Sequence, residues 1–489
     1  MNDSIAGGCI VLLVCIVLVK WLLTKPEPAG RVVAFFHPYC DHGGGGERVL
    51  WIMIEHLLKG DATLRVAIYN GGLPDVSRLL RLVQTQFHID LTAAPLAGRI
   101  ILVNISSRTL LDACWYPLAT MLMQSAMSLL VGLECLLRLQ PDVYIDTTGA
   151  AFTYLLFALA RCRVVAYVHY PIISSDMLQR VREQRPAHNN AGAIASSVSI
   201  SHLKLVYYQA IARVYALAGA CAAVVMVNSS WTEGHIAALW RLQKSSLPSP
   251  LPSPPSLSDR RLFRIYPPCN TAQLQALPLL LLAPREPLVL SIGQFRPEKD
   301  HALQLRAWKV FRLEHPDSTA RLVLVGSARH ADDDKLVAAL RHLADELGVA
   351  DSVELVANAP YARVTELLSR ASVGLHTMWN EHFGISVVEM MAAGLVVVAH
   401  DSGGPRMDIV VPAARAGLAE IGDGISTAAV GYLASSVEDY ARCLGEVLGM
   451  SETRRGAMRA RARASVSRFS DDAFARGVAA ALKTVMGNA

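Results

Sequence analysis

The sequence predicts an α/β protein with two domains, each built on a doubly wound parallel sheet, preceded by a transmembrane helix. Three observations support this: short runs rich in β-branched residues alternate with helical patterns, glycine-rich or charged loops follow several runs, and an apolar run lies near the N-terminus. Strands that alternate with helices are typical of parallel sheets. With 489 residues, 52% hydrophobic and 18% charged, the chain is long enough for two cores and apolar for a soluble enzyme.

The first element is the apolar run from Ile5 to Leu23. Its length suits one membrane crossing, so we assign residues 1–25 to an N-terminal anchor. A cleaved signal peptide is the alternative, but the chain opens with Asp3 instead of a basic residue and has no clear small-residue cleavage site. Basic residues follow the run and none precedes it, which predicts a cytosolic location for the rest of the chain. The sequons at Asn104 and Asn228 are therefore expected to carry no glycan.

The N-terminal domain, residues 26–275, contains the first strand series. We predict strands at 31–37, 64–70, 101–104, 143–147, 163–170 and 222–228. After the first strand, Gly43, Gly44, Gly45 and Gly46 form a loop that lets a ligand lie against backbone before a helix begins at Glu47. The spacing G-x-G-x-x-G is absent, and the second strand lacks the acidic residue that would hold an adenosine ribose. We therefore assign the loop to the sugar or acceptor side of a cleft between the domains.

The stretch from Leu110 to Leu139 is too apolar for an ordinary surface helix. It is either a buried helix of the N-terminal domain or a segment that dips into the bilayer. We favour membrane contact, because Asp112, Glu134 and Arg138 bracket the run as interfacial ends. A full second crossing is disfavoured, because it would place the two halves of one enzyme on opposite sides of the membrane.

The C-terminal domain, residues 276–489, repeats the pattern. We predict strands at 288–292, 321–326, 353–357, 373–377 and 396–400, with helices at 302–311 and 334–347. In such sheets ligands bind at the carboxyl ends of the strands. Three loops should meet there: residues 291–299, the turn around Glu381, and residues 401–405. Arg296 and Lys299 on the first loop are candidate cations for a diphosphate, with solvated loop charges as the alternative.

The turn around Glu381 leads into a short helix and places two carboxylates around an anion site. Phe383, Gly384 and Ile385 allow a diphosphate to approach the unpaired N–H groups of the first helical turn. Glu381 is positioned to accept hydrogen bonds from sugar hydroxyls, and Glu389 inside the helix can bind a ribose diol. The alternative is that both are ordinary helix charges.

These residues resemble the retaining glycosyltransferases of the GT-B fold, whose signature is a Glu, seven residues and a second Glu, here Glu381 and Glu389. The resemblance narrows to the dolichol-pathway α-1,2-mannosyltransferase family through the following segments: His37–Cys40, Gly43–Trp51, Val168–Pro171 and Gln294–His301. It covers nearly the whole chain. One departure is Gln294, because many relatives carry an Arg directly after the glycine at Gly293. If the chain is extended there, Arg296 shares a face with position 294 and can present its charge to the same site.

The resemblance implies a GT-B fold with two Rossmann-like domains and transfer of the fourth and fifth mannose from GDP-mannose to Man3GlcNAc2-PP-dolichol on the cytosolic face of the endoplasmic reticulum. It implies catalytic roles for His169, Arg296, Lys299 and Glu381, and a place for Tyr170 on the acceptor side. It implies donor contacts from the following residues: Gly293, Arg296, Lys299, Glu381, Phe383, Gly384, Ile385 and Glu389. The implied reaction is metal-independent and needs no cofactor, and other mannosyltransferases of the pathway are candidate partners. For His169 a buried core histidine is the alternative.

Other features exclude or qualify further functions. A formal charge of +5 is too small for a nucleic-acid partner in a chain of this size, and nine cysteines without a C-x-x-C pair predict a reducing compartment and no zinc site. Asp332–Asp334 is predicted to cap a helix instead of binding metal. The arginines between Arg454 and Arg463 form a basic helical patch, either for lipid headgroups or solvated. Residues 245–258, rich in Ser, Pro and Leu, are predicted to be a disordered insertion.

Two rival functions remain open: a membrane-bound retaining glycosyltransferase with another donor or acceptor, and a non-catalytic nucleotide-sugar-binding scaffold.

Overall fold

The computed structural model describes residues 31–73, 75–116, 120–174, 177, 198–240, 261–277, 285–410 and 429–487. The predicted anchor and the predicted insertion at 245–258 lie outside these residues. The chain divides into two compact units. The first comprises Met1–Asn228, Thr232–Ile265 and Ala475–Ala489, and the second comprises Ser229–Trp231 and Tyr266–Phe474. The chain thus passes into the second unit at Tyr266, before the predicted boundary at 275/276, and its last residues group with the first unit.

The first unit is built on one parallel sheet of seven strands in the order β3-β2-β1-β4-β5-β6-β7. The strands are β1 (Val32–Phe36), β2 (Arg65–Asn70), β3 (Ile100–Asn104), β4 (Val143–Asp146), β5 (Arg163–Val168), β6 (Val224–Val227) and β7 (Arg261–Arg264). All five residues of β1 are buried, as expected for a strand covered on both faces. The six strands predicted for this domain are confirmed. The sequence pattern did not predict β7, which has charged residues at both ends.

Helices connect these strands. They are α1 (Gly45–Gly60), α2 (Val76–Phe87), α3 (Ala94–Ala97), α4 (Thr120–Arg138), α5 (Tyr154–Leu159), α6 (Val198–Gly219) and α7 (Ser230–Trp240). Helix α4 is long and apolar enough to span a membrane by length and composition, and it is the single such helix found among the described residues. Its Val131, Cys135 and Leu136 are nevertheless buried in the core of the first unit. One face of this stretch is therefore buried in the core, and membrane contact of the other face stays a prediction.

The second unit contains a parallel sheet of six strands in the order β10-β9-β8-β11-β12-β13. Its strands are β8 (Glu286–Ile292), β9 (Arg321–Gly326), β10 (Val353–Ala357), β11 (Ala371–His376), β12 (Val396–His400) and β13 (Gly431–Ala434). Its helices, and those that follow to the C-terminus, are α8 (Thr271–Gln275), α9 (His301–Glu314), α10 (Ala331–Glu346), α11 (Tyr361–Arg370), α12 (Ile385–Ala392), α13 (Val437–Leu448), α14 (Glu452–Ser465) and α15 (Asp471–Met486). The five predicted strands are confirmed. The second sheet therefore has the order 3-2-1-4-5-6 of a doubly wound fold, and the first sheet has this order with a seventh strand added.

Charged side chains at the start of α10 and in α14 have structural roles in the second unit. Asp333 accepts hydrogen bonds from the N–H groups of Arg329 and His330 and closes a capping box at the start of α10, which confirms the predicted cap. In α14, Arg459 is only 3% exposed and donates to Glu452 over 2.8 Å, while Arg461 donates to the carbonyl of Ala429 over 2.9 Å. These two arginines make hydrogen bonds within the second unit. They are therefore neither lipid-binding nor solvated, the two alternatives for the basic patch.

Glu134 of α4 ties this helix to the loop after β3. Its carboxylate accepts hydrogen bonds from the N–H groups of Ser106 at 2.8 Å and Ser107 at 2.9 Å, and from Arg138 Nε at 2.9 Å. Burial opposes ionisation of this carboxyl, but the hydrogen bonds from Ser106 and Ser107 outweigh it and lower the pKa of Glu134 to about 2.

We expect Glu134→Gln to lower the free energy of unfolding of the first unit by ~1–3 kcal/mol at neutral pH, because charged acceptors lose that much when neutralised. Since the pKa of Glu134 is depressed on folding, its contribution is present above its ordinary pKa of 4.5 and is lost as pH falls toward about 2. Denaturant unfolding at pH 7 and pH 3 measures this. Equal losses at both pH values would contradict the assignment, and Glu314→Gln, on α9 of the second unit, serves as a control.

Candidate active site

The strand order of the second unit reverses between β8 and β11, and the loops after these two strands carry Lys299 and Glu381. Such a switch point is where ligands bind in open parallel sheets. The two predicted residues meet there: Lys299 Nζ lies 2.6 Å from Glu381 Oε2. The carboxylate is 13% exposed and the lysine 24% exposed. The pair is thus partly buried, at the edge where a ligand would enter.

A third residue, His376, completes this cluster. It is the last residue of β11, it is 4% exposed, and its Nε2 donates to Glu381 Oε2 over 3.1 Å. Burial opposes ionisation of Glu381, but the His376 hydrogen bond and the Lys299 charge outweigh it, so the pKa of Glu381 lies well below its ordinary value. Glu381 is therefore a carboxylate, ready to accept hydrogen bonds, throughout the physiological pH range.

The chain around Lys299 is fixed by its neighbours on β11 and α9. Thr377 Oγ1 lies 2.8 Å from the carbonyl of Lys299 and 3.1 Å from that of Asp300, and it accepts from Gln304 Nε2 over 2.8 Å. Asp300 adopts a left-handed conformation with φ of 47° and caps α9 by accepting from Leu303 N over 3.1 Å. The backbone at Lys299 is thus held by the side chain of Thr377, which Gln304 of α9 supports.

His301 lies beside these cations and stays neutral. Its side chain is 3% exposed, and burial, followed by the nearby Lys299 and His376, lowers its pKa to about 4. A neutral imidazole at this point avoids a second positive charge against Lys299. His301 therefore adds no positive charge beside Lys299.

The turn around Glu381 is held from behind by the loop after β12. The N–H of Gly404 donates to the carbonyl of Glu381 over 2.7 Å, and Ser402 Oγ accepts from Asn380 N over 2.7 Å. A Cβ on Gly403 would lie 2.2 Å from the carbonyl oxygen of Glu381, and one on Gly404 2.3 Å from that of Phe383. Both glycines are therefore required for close packing against the backbone of the turn around Glu381.

Helix α12 follows this turn and presents its first N–H groups at the same edge. Gly384 precedes it with φ of 111°, a conformation that side-chain-bearing residues rarely adopt. Phe383 is 3% exposed and packs between Tyr266 and Phe469, so its contribution to a ligand would come from backbone. Ile385 and Glu389 lie on the partly exposed side of α12, one turn apart. Gly384, Ile385 and Glu389 thus follow the turn that carries Glu381, as predicted, and their contacts with a donor stay predictions.

Arg296 is placed differently from Lys299. The N–H of Arg296 donates to the carbonyl of Gln294 over 2.8 Å, so the chain turns at Phe295 and is not extended there. Positions 294 and 296 would share a face only in an extended chain, so Arg296 does not replace the missing Arg at position 294 in the way that the sequence suggested. The pKa of Asp333 is lowered mainly by the hydrogen bond from the N–H of Arg329, with a smaller contribution from the charge of Arg296. Gly293 lies against the stem of Lys299, where its Cβ would be 3.7 Å from Lys299 Cδ. The donor role of Arg296 stays a prediction.

In the first unit, the predicted glycine loop and His169 come together. A Cβ on Gly46 would lie 3.7 Å from His169 Nε2, so the imidazole faces the start of α1. His169 directly follows β5, and its ring meets Tyr167 edge-on with centroids 5.0 Å apart. The side chain is partly exposed, which does not fit a core histidine. Tyr170 is 57% exposed. Their roles stay predictions.

Residues that the sequence reading did not single out surround this loop. His37 follows β1 and is 3% exposed, with Nδ1 2.8 Å from Thr147 Oγ1 and Nε2 3.6 Å from Glu47 Oε1. Burial opposes ionisation of Glu47, but the neighbouring His37 outweighs it and the pKa of Glu47 is lowered. His37 and Thr147 directly follow β1 and β4, so they lie at the carboxyl ends of strands, where ligands bind in such sheets.

The cluster predicts a positioning role for His376. We expect His376→Leu to lower kcat/KM by roughly 10- to 100-fold, because a hydrogen bond to a charged group contributes ~1.5–3 kcal/mol. His376→Gln, whose amide can donate to the same oxygen, should recover much of the loss. Since the histidine keeps the pKa of Glu381 low, the acidic limb of the pH–rate profile should move to higher pH in His376→Leu. An unchanged acidic limb would contradict the role.

Comparisons with known proteins identify the family. Residues 30–240 match the family described as ALG11 mannosyltransferase N-terminus, and residues 280–431 match Glycosyl transferases group 1. The chain is 41% identical over 487 residues to a Homo sapiens protein named GDP-Man:Man(3)GlcNAc(2)-PP-Dol alpha-1,2-mannosyltransferase, covering 95% of this chain and 92% of that protein. The chain belongs to this family. A Dictyostelium discoideum member with the same name is 36% identical and covers 92% of this chain and 84% of that protein.

Membership makes the chain a glycosyltransferase and confirms the family predicted from its motifs. Solved structures confirm the fold. The structure titled OtsA apo structure has a TM-score of 0.62 at 12% identity, covering 94% of this chain and 100% of that chain. Anabaena Alr3699/HepE in complex with UDP and glucose has a TM-score of 0.53 at 16% identity, covering 92% and 99%. The two parallel sheets are thus those of the GT-B glycosyltransferases.

Proposed function

We propose that this glycosyltransferase is a retaining α-1,2-mannosyltransferase that uses GDP-mannose as donor and Man3GlcNAc2-PP-dolichol as acceptor, adding the fourth and fifth mannose. The observation that carries the proposal is the cluster of Lys299, Glu381 and His376 at the switch point of the second sheet, beside the N-terminus of α12. It combines a cation for a diphosphate with an ionised acceptor for sugar hydroxyls. The names of the curated relatives supply the substrates.

The proposed mechanism uses this chain's residues to stabilise the leaving group. Lys299 and the first N–H groups of α12 bind the diphosphate as negative charge develops on it. Glu381 accepts from mannose hydroxyls and Glu389 from the ribose diol. The bond between mannose C1 and the diphosphate oxygen breaks, and the acceptor hydroxyl oxygen bonds to C1 on the same face. Its proton passes to the departing diphosphate oxygen, so no covalent enzyme intermediate and no metal are needed.

We assign the glycine loop of the first unit to the sugar or acceptor side. His169 faces the start of α1 and can donate to a sugar hydroxyl, while Gly43–Gly46 lets substrate lie against backbone. We further propose a single N-terminal anchor at residues 1–25 and catalysis on the cytosolic face of the endoplasmic reticulum, with the lipid-linked acceptor in that leaflet. Other mannosyltransferases of the pathway are proposed partners.

Donor binding tests this proposal separately from transfer. Titration with GDP-mannose, GDP-glucose and UDP-glucose should show tightest binding of GDP-mannose, and Lys299→Ala should weaken it. Tighter binding of UDP-glucose would favour the rival function, a membrane-bound glycosyltransferase with another donor. Binding of GDP-mannose without transfer to any lipid-linked acceptor would favour a non-catalytic scaffold.

A further inference from the structure

Three neighbouring helices of the first unit carry an unusual amount of exposed apolar surface. On α4, Leu122, Leu130 and Leu137 are 50%, 51% and 52% exposed. On α5, which packs against α4, Leu155 and Leu159 are 43% and 50% exposed. Isolated exposed leucines are common, but a set on adjoining helices marks an interaction site.

The face continues onto α6, which packs against α5. Val206, Val214 and Leu217 are 48%, 50% and 56% exposed and follow one another at helical spacing. The N–H of Leu122 donates to Tyr207 Oη over 3.2 Å, which joins α4 directly to α6. We name the exposed apolar side chains of α4, α5 and α6 the three-helix face.

Helix α4 is apolar on its outer side as well as its inner side. Its polar Ser125 and Ser128 are buried, at 8% and 4% exposure, whereas Leu122, Leu130 and Leu137 are about half exposed. Because its inner face packs in the core and Glu134 is tied to Ser106 and Ser107, this helix cannot have lipid on all sides as a membrane span would. An apolar outer face on a fixed helix instead suits a position in the plane of the membrane.

The charges around the face fit a phospholipid surface. Residues 120–138, 154–161 and 204–219 contain four basic residues, Arg138, Arg161, Lys204 and Arg213, and one acidic residue, Glu134. The acid is bonded internally, whereas Arg161 and Arg213 are exposed. Basic residues at the rim of an apolar face attract the anionic headgroups of a membrane.

The start of the chain provides a second argument. The apolar run Ile5–Leu23 ends shortly before Arg31, and β1 begins at Val32. Val32 N donates to Asp142 Oδ2 over 2.8 Å, and Tyr69 Oη donates to the carbonyl of Leu139 over 2.6 Å. The chain that comes from the proposed anchor thus enters the sheet beside the C-terminal end of α4, which brings the three-helix face to the same bilayer.

We propose that the three-helix face is a second, in-plane membrane attachment that inserts into the leaflet into which the anchor leads. It rests on the membrane attachment proposed above and adds a defined surface to it. The face would hold the first unit, with its glycine loop, at the height of a lipid-linked substrate.

The test is photolabelling of the full-length protein in vesicles of phosphatidylcholine and phosphatidylserine that contain a phospholipid with a diazirine on its acyl chain. Peptides carrying Leu130, Leu159 and Leu217 should be cross-linked. The matched control is Leu313 of α9, an isolated leucine that is 66% exposed in the second unit, and it should not react. Equal labelling of both would overturn the proposal, as would labelling of Ser125 and Ser128, which would indicate a span.

Two variants separate this proposal from the proposed function. Replacing both Leu129 and Leu130 with glutamine should cause loss of labelling on α4 without a change in the near-UV circular dichroism of the protein. Lys299→Ala should label like the wild type, because lipid contact does not depend on donor chemistry. Retained labelling of α4 in the double glutamine variant would also count against the three-helix face.

Discussion

Replacing Lys299 with alanine is expected to lower kcat by on the order of 10²-fold, the usual loss when one preorganised donor to a developing anion is removed. In the second unit Lys299 Nζ lies 2.6 Å from Glu381 Oε2, so the variant removes the cation and leaves a partly buried carboxylate with only His376. The remaining negative charge would repel the diphosphate of the donor. Steady-state kinetics with GDP-mannose measure both kcat and KM.

The control for this variant is Lys335→Ala. Lys335 also forms an ion pair on the second unit, with Asp332 at 2.8 Å, but it is 77% exposed and lies on α10. Surface pairs of this kind contribute little to stability, so kcat should not change. If Lys299→Ala folded normally and kept the wild-type kcat, Lys299 would not be part of the active site.

Gly403→Ala is expected to reduce activity about as strongly, although its side chain makes no contact with substrate in the proposed mechanism. A Cβ at this position would lie 2.2 Å from the carbonyl oxygen of Glu381, and φ there is 56°. The turn that carries Glu381 must therefore shift, and a displacement of ~1 Å at a reacting group can cost on the order of 10²-fold in rate. Measurements of kcat together with thermal unfolding detect this.

Gly348→Ala separates the steric effect from backbone strain. Gly348 also has a positive φ, 67°, but the nearest atom to its Cβ is Lys309 Nζ at 3.9 Å. Both variants should lose ~1–2 kcal/mol from the strained conformation, since a left-handed residue with a Cβ costs that much. Only Gly403→Ala should lose turnover. A similar fall in kcat in both variants would mean that instability, and not the position of Glu381, explains the effect.

The fold could be predicted because burial on both faces makes each central strand a continuous apolar run. Strands β9 and β12 were predicted at the residues where they are observed, at 321–326 and 396–400. The pattern missed β7 and β13, the last strands of the two sheets, which have four residues each. It also failed to divide α4 between core and exterior, because leucines and methionines on both sides of a helix give no polar face to read.

The site could be predicted in part because its residues follow strands. Lys299 and Glu381 were found through loops at the carboxyl ends of β8 and β11, and the structure brings their charges together. His376 and Thr377 were missed, since the sequence pattern assigned both to a strand and does not show the hydrogen bonds that their side chains make. Gly403 and Gly404 pack against the turn around Glu381, a contact between two loops that the sequence does not show.

Transfer by the purified, reconstituted protein tests the central claim most directly. The protein would be incubated with GDP-mannose and Man3GlcNAc2-PP-dolichol, and the released glycans analysed by mass before and after α-1,2-mannosidase. The proposal predicts a gain of two hexoses that the mannosidase removes, and no gain with Lys299→Ala. Folded protein that binds GDP-mannose but adds no hexose, or adds hexoses that resist the mannosidase, would contradict it.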